Sequence, residues 1–314
     1  MYNLHLKTSH FPAQTDTEIR DISVGGLLRE IASSNPHSIA MVDVLEDGKC
    51  GQSWTYSELA HQAKSLAQTL ASRFAPRERI VVWAPNIPEW IFMEYAAGLA
   101  GLVLVTANPS FQTAELKYVL NQSGAVGLFM IDEFRGNPME EIAKEATKGN
   151  THLRETVNLH RKDILFKIGD RPTLLPNVHP DDPAQIQYTS GTTGFPKGAI
   201  LSHKNLVNNA RLFCARKHVT QHSVWANFMP LFHTAGCATG ALGCLQAACK
   251  MLLIKRFDSD IFARLIEEQK VTTCFAVPTM LFNLLESLER NPRDTSSLEV
   301  ITTGGAPVPP DLVR

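Results

Sequence analysis

The sequence has almost no charge bias: 30 Lys and Arg stand against 31 Asp and Glu, a formal net charge of −1. That balance removes any long-range reason to expect nucleic acid or an anionic membrane as the main partner, and leaves room only for a local cationic site. The six cysteines (Cys50, Cys214, Cys237, Cys244, Cys249 and Cys274) include no C-x-x-C pair, and five lie in or beside apolar stretches. A disulfide framework or a zinc site is therefore not expected. Reduced, mostly buried thiols are, with the cytoplasm as the expected location. The first twenty residues hold no apolar core of signal-peptide length and already contain Asp16 and Glu18, so no secretory signal or transit peptide is read there. Internal repeats and low-complexity tracts are lacking as well.

What is present fits a globular chain. Hydrophobic residues make up 44% and charged residues 19% of 314 positions, enough to bury a sizeable core in one large or two ordinary domains. The run 90–107 is apolar apart from Glu94 and Thr106 and is nearly long enough to span a bilayer. Gly98 and Gly101 interrupt it, so a buried helix followed by a buried strand is expected instead.

Thr55 and Glu58 have the spacing of a capping box, and Leu59, Ala63, Leu66, Ala67 and Leu70 follow at helical spacing. Strands are expected over 80–84, 102–106 and 125–131, with helices over 88–100 and 113–123, the latter ending at Gly124. The second half repeats the rhythm. Helices are expected over 204–217, 258–269 (capped by Asp258) and 279–289, and strands over 224–229, 251–254, 272–277 and 298–303. This alternation predicts α/β architecture with largely parallel sheets, whose ligands bind beyond the carboxyl ends of the strands. A segment richer in charge, Pro and Asn, 135–183, suggests two subdomains, 1–183 and 184–314.

The densest chemical signal runs from Tyr188 to Gly198. Thr189, Ser190, Thr192 and Thr193 supply four hydroxyls, Gly191, Gly194 and Gly198 supply close backbone approach, and Lys197 adds a compact cation after Pro196. Such a loop suits phosphate. It is not the G-x-x-x-x-G-K-[ST] loop, and no G-x-G-x-x-G follows a strand, so the simplest nucleoside-triphosphatase and dinucleotide readings fail. An ordinary surface turn uses one or two such residues rather than eight.

Tyr188–Gly198 resembles the phosphate-binding signature of the adenylate-forming superfamily, which includes acyl- and aryl-CoA synthetases, luciferases and peptide-synthetase adenylation domains. The resemblance extends to residues 230–236, which carry His233, and to Gly304, Gly305, Ala306 and Pro307. Residues 108–116 look most like medium- and long-chain fatty acyl-CoA ligases. The resemblance implies the N-terminal domain of such an enzyme, with two layered α/β subdomains. It implies an ATP-dependent ligase that makes an acyl-adenylate and pyrophosphate, then a coenzyme A thioester. It further implies that Thr189, Ser190, Gly191, Thr192, Thr193, Gly194 and Lys197 hold the ATP phosphates, with magnesium sharing the charge. His233 would lie beside the acyl group and α-phosphate, and Gly304, Gly305, Ala306 and Pro307 would line adenine and the acyl pocket.

The implied partners are a carboxylic acid, ATP and coenzyme A. Nucleic acid and an integral membrane segment are not expected, and oligomeric state is not legible. An aryl-CoA ligase and a noncatalytic nucleotide-binding or interaction module remain alternatives. On its own a histidine such as His233 is more often a core residue donating to a carbonyl, and the glycines at 304–305 more often a strand-to-helix turn.

The sequence departs from the family pattern by omission. No Tyr-Gly-x-Thr-Glu or Thr-Gly-Asp segment follows the loop, Gly169-Asp170 comes too early, and the C-terminal domain with its adenylation lysine is missing. A truncated chain with an exposed sheet edge and little turnover alone is the expectation. His218 and His222 have the spacing of a metal pair, but without an acid between them a surface pair without metal is expected. The charged residues at 140–148 read as a solvated helix face, and the apolar stretch 241–254 as core.

Overall fold

Thr55 opens the helix Tyr56–Arg73 with the expected reciprocal cap: the Glu58 N–H donates to its hydroxyl at 3.2 Å, and its own N–H donates to the Glu58 carboxylate at 2.8 Å. Such a cap contributes about 1 kcal/mol. Leu59, Ala63, Leu66, Ala67 and Leu70 are buried along one face of this helix. The computed structural model describes residue 8 and residues 18–171, 173–189 and 196–313.

Twelve strands are described: β1 (Ile39–Val44), β2 (Cys50–Thr55), β3 (Arg79–Trp83), β4 (Val103–Ala107), β5 (Gly127–Met130), β6 (Glu155–Asn158), β7 (Pro183–Thr189), β8 (Lys197–Ser202), β9 (Val224–Asn227), β10 (Lys250–Ile254), β11 (Thr273–Ala276) and β12 (Val300–Thr303). They form two six-stranded sheets, ordered β12-β11-β9-β10-β1-β2 and β6-β5-β3-β4-β7-β8. Each sheet has five parallel strands and one antiparallel edge strand, β2 in the first and β8 in the second. The expected α/β layering is present.

A single cut at residue 183 does not separate these sheets. β1 and β2 complete the sheet of the second half beside β10, while β7 and β8 complete the sheet of the first half beside β4. Strand partners follow from which apolar faces must be buried, and β1 (Ala40, Met41, Val42 and Val44 buried) needs a neighbour on a covered sheet. The stretch 135–183 itself contributes β6 to the sheet of the first half, along with the helix Met139–Ala146. β12 forms an edge, where Ile301 is 40% exposed.

The apolar run resolves as expected into the helix Pro88–Ala100, a left-handed Gly101 (φ 67°) and the fully buried β4. No helix of the described residues is long and apolar enough to cross a membrane. Trp83, Trp90 and Trp225 are completely buried, each such side chain contributing roughly 1.5–3 kcal/mol or more. Among the cysteines, Cys50 is exposed and the other five are buried and free.

Two buried ionisable groups set an acid–base signature. Burial pushes Glu94 up to about 8, against a smaller lowering by the hydrogen bond from Gln185. Burial pushes His203 down to about 4, partly offset by Asp182. The neutral Glu94 contributes stability below its ordinary value of 4.5, which is lost as pH rises through 8. Neutral His203 contributes stability above 6.5, which is lost as pH falls through 4. The two slopes oppose each other in mildly acidic solution, and above pH 6.5 Glu94 acts alone until Lys217, held down to about 8 by burial, begins to contribute. Between pH 6.5 and 8 the protein is expected to lose about 1 kcal/mol of unfolding free energy, and the Glu94→Gln variant to lose none. Urea melts across that range measure this, and parallel curves for the two proteins would refute it.

Candidate functional site

The phosphate-loop candidates divide at the boundary of what the structure describes. Ser190, Gly191, Thr192, Thr193 and Gly194 lie outside the described residues, while Thr189 and Lys197 are described. β7 and β8 are antiparallel, with Thr189 opposite Lys197 and Tyr188 opposite Gly198. The Thr189 hydroxyl donates to the Lys197 carbonyl at 3.4 Å, and the Lys197 side chain is exposed. The loop therefore joins two antiparallel hairpin strands, β7 and β8.

The helix Thr113–Ser123 braces the base of this hairpin. The Tyr118 hydroxyl donates to the Pro196 carbonyl at 2.9 Å, and the Tyr188 hydroxyl donates to Gln122 Oε1. The two rings meet edge to face, 6.5 Å between centroids. Burial, with Tyr118 alongside, pushes the Tyr188 phenol up to about 12, so it remains a donor at any ordinary pH. The helix is itself fixed at both ends: Gln112 and Glu115 form a capping box, and Gly124 closes it in the left-handed conformation (φ 59°).

His233 is exposed, and its ring is not a core donor. The Ala235 N–H donates to its Nδ1 at 3.1 Å, which leaves the proton of the neutral ring on Nε2. Its carbonyl accepts from Gly236 and Cys237, at the entry to a π-helical turn, Ala235–Leu242. Wide turns of this kind are rare and recur at functional sites. Gly236 packs directly on the preceding chain: a Cβ there would stand 2.3 Å from the Pro230 carbonyl oxygen and 2.4 Å from that of Met229.

Asn86, which sequence reasoning did not single out, holds this segment in place. Its amide donates to the Met229 carbonyl at 2.9 Å and the Ile254 carbonyl at 3.1 Å, and its Oδ1 accepts from the Leu231 N–H at 2.8 Å. The only available signal was a Pro-Asn-Ile-Pro stretch, residues 85–88, between a strand and a helix. Because Asn86 follows β3 while Met229 and Ile254 end at β9 and β10, it ties the carboxyl ends of the two sheets together. A cleft of about 440 Å³ opens there, lined by Asn86 and Asn108 from one sheet and by Phe228, Pro230 and Lys255 from the other. This is the side on which parallel α/β sheets bind ligands.

Gly304, Gly305, Ala306 and Pro307 follow β12 at the same carboxyl side, with Gly305 left-handed (φ 82°) and residues 305–307 exposed. No hydrogen bond among the described residues joins them to His233 or Thr189. The hairpin strand β7 meets the turn after His233 through Cys237, whose Sγ accepts from Gln187 Nε2 at 3.3 Å and donates to Gln185 Oε1 at 3.6 Å. His218 and His222 are exposed, and His218 leaves the helix with φ 53°. Among the described residues no group of three or more His, Cys, Asp or Glu could hold a metal ion.

Comparison with known proteins shows where this fold occurs. The chain is 29% identical to the medium-chain fatty-acid–CoA ligase of Escherichia coli, over 94% of its own length and 53% of that protein's. It superposes on the N-terminal domain of FACL13 from Mycobacterium tuberculosis with a TM-score of 0.80 and 25% identity, covering 93% of this chain and 72% of that one. It superposes on ATP-bound MatB from Rhodopseudomonas palustris with a TM-score of 0.78 and 25% identity, covering 93% and 56%. The chain thus spans about half the length of the curated relatives it matches. The family model for AMP-binding enzymes matches residues 28–314, and the chain belongs to that family.

Proposed function

We propose that this chain carries the ATP- and acid-binding part of a fatty acyl-CoA ligase. A carboxylate is a poor electrophile, because its charge is delocalised and its leaving group would be oxide. Its oxygen attacks the α-phosphorus of ATP, pyrophosphate departs, and an acyl-adenylate results. The thiol of coenzyme A then attacks the acyl carbon and AMP leaves. Thr189, Ser190, Gly191, Thr192, Thr193, Gly194 and Lys197 hold the β- and γ-phosphates, with magnesium arriving as part of the nucleotide substrate. His233 stands beside the reacting carboxyl group with Nε2–H free to donate, and Gly304, Gly305, Ala306 and Pro307 border adenine and the acyl pocket. Positioning and fixed charge are the protein's contribution to such a displacement. The free buried thiols suit a reducing compartment such as the cytoplasm.

The observation that carries this reading is the assembly at the carboxyl ends of the strands. The Thr189–Lys197 hairpin ends there, the exposed His233 follows β9, and Gly304 follows β12. The deciding experiment is calorimetric titration of the chain with magnesium-ATP, in the wild type and in Lys197→Ala. Loss of one charge-assisted contact is expected to weaken binding about tenfold to a hundredfold. Equal affinities would remove Lys197 from the site. Pyrophosphate release with a medium-chain fatty acid, measured separately, tests the chemical step.

A further inference from the structure

A buried polar row links β7 of the phosphate hairpin to the turn that follows His233. Gln185, Gln187 and Thr189 share one face of β7, since side chains two apart in a strand point the same way. Gln185 Nε2 donates to Glu94 Oε1 at 2.6 Å, and Gln187 Nε2 donates to Gln185 Oε1 at 3.0 Å as well as to Cys237 Sγ at 3.3 Å. From β4, the Thr106 hydroxyl donates to Gln187 Oε1 at 3.2 Å. Glu94, Thr106, Gln185, Gln187 and Cys237 are all at most 6% exposed. The row starts inside the protein at Glu94, whose Oε2 has no hydrogen-bond partner among the described residues, and its last member on β7 is Gln187, two residues before the exposed Thr189, whose hydroxyl bonds the Lys197 carbonyl instead.

Packing alone would be served better by apolar side chains, because each buried polar group must keep its partner or lose its hydration uncompensated. What a connected polar row adds is register: β7 cannot shift against the π-helical turn without breaking the Gln187–Cys237 contact. That turn is wide: the Thr234 carbonyl accepts from the Thr239 N–H five residues on at 2.8 Å as well as from the Ala238 N–H four residues on at 3.0 Å, so π- and α-type bonds share one acceptor.

We propose that Gln187 and Cys237 are positioning residues that couple nucleotide binding at the hairpin to the conformation of the 235–242 turn, and through it to His233. The inference rests on the ATP reading given above. The test is hydrogen–deuterium exchange of the 314-residue chain with and without magnesium-ATP, read separately for the amides of β7 and β8 and for those of 235–242. In the wild type, ATP is expected to slow exchange in both segments, about fivefold or more in the turn. In Gln187→Leu, and in the milder Cys237→Ala, the effect is expected to be confined to β7 and β8, while Cys237→Ser, which keeps an acceptor, restores it in the turn.

A merely structural role would raise exchange in the turn without altering its response to ATP. The inference is overturned if the turn stays unresponsive in the wild type while the hairpin is protected, or if both variants keep the full response. Absence of protection anywhere would instead overturn the ATP reading and take this inference with it.

Discussion

Replacing Gly236 by alanine is expected to destabilise the protein by about 3 kcal/mol or more, the upper part of the range for overpacking a close-packed interior. The added Cβ meets two carbonyl oxygens at 2.3 and 2.4 Å and the Pro230 carbonyl carbon at 2.5 Å, all of them main-chain atoms. A flexible side chain could swing away from such a contact, but a backbone segment must move as a whole. This one is held by Asn86 from one side and by Asn227 from the other, whose amide donates to the Gly236 carbonyl at 3.1 Å. The strain therefore falls on the residues that place His233, and a displacement of about 1 Å can cost roughly a hundredfold in rate. Gly304→Ala is the matched control: among the described residues nothing lies within 4 Å of its Cβ, so stability is expected to change by less than about 0.5 kcal/mol. Urea midpoints for the two variants measure the difference, and equal midpoints would refute the steric account.

Elements whose signal is local were legible in the sequence. The capping box at Thr55 and Glu58, the helix Thr113–Ser123 with its glycine stop, and Asp258, whose side chain accepts from Asp260 and Ile261 N–H groups, all lie where spacing put them. Elements whose signal is tertiary were not. β1 and β2 form an early hairpin, but β1 finds its other partner in β10, more than 200 residues on, which no window of local pattern reveals. β8 was missed because Lys197 and Gly198 read as the end of a loop, whereas Gly198 is already paired with Tyr188.

The same division runs through the site. His233, Lys197 and Gly304 were proposed from residue type and neighbourhood, whereas the residues bonded to the His233 segment and the turn after it, such as Asn86 and Gln187, gave no comparable signal. Glu94 and Thr106 stood out only as polar interruptions of an apolar run, and that run was correctly read as buried. Their partners on β7 lie 91 and 81 residues away, so the network they form became visible only with the fold. The core of the loop, 190–194, is described by sequence alone.

Asn86→Ala is expected to cost about 3 kcal/mol or more, because it strands two carbonyls and one N–H in a buried setting at roughly 1–3 kcal/mol each, less whatever relaxation recovers. Asn86 is 4% exposed, so water does not readily replace the lost partners. Asn86→Asp separates this hydrogen-bond account from simple loss of volume. A carboxylate there still accepts from the Leu231 N–H but turns its other oxygen toward the Met229 and Ile254 carbonyls, which now repel it. The protonated acid, by contrast, can donate to one of them. Burial and that repulsion raise the folded-state pKa of the introduced carboxyl above its unfolded value of about 3.9. Its stability is then greatest below that value and is lost as pH rises through the folded one. Relative to the wild type, Asn86→Asp is expected to be less destabilised at pH 5 than at pH 8, whereas the deficit of Asn86→Ala should not depend on pH. If both deficits were flat, the three hydrogen bonds would not be what fastens the His233 segment to the carboxyl ends of the two sheets.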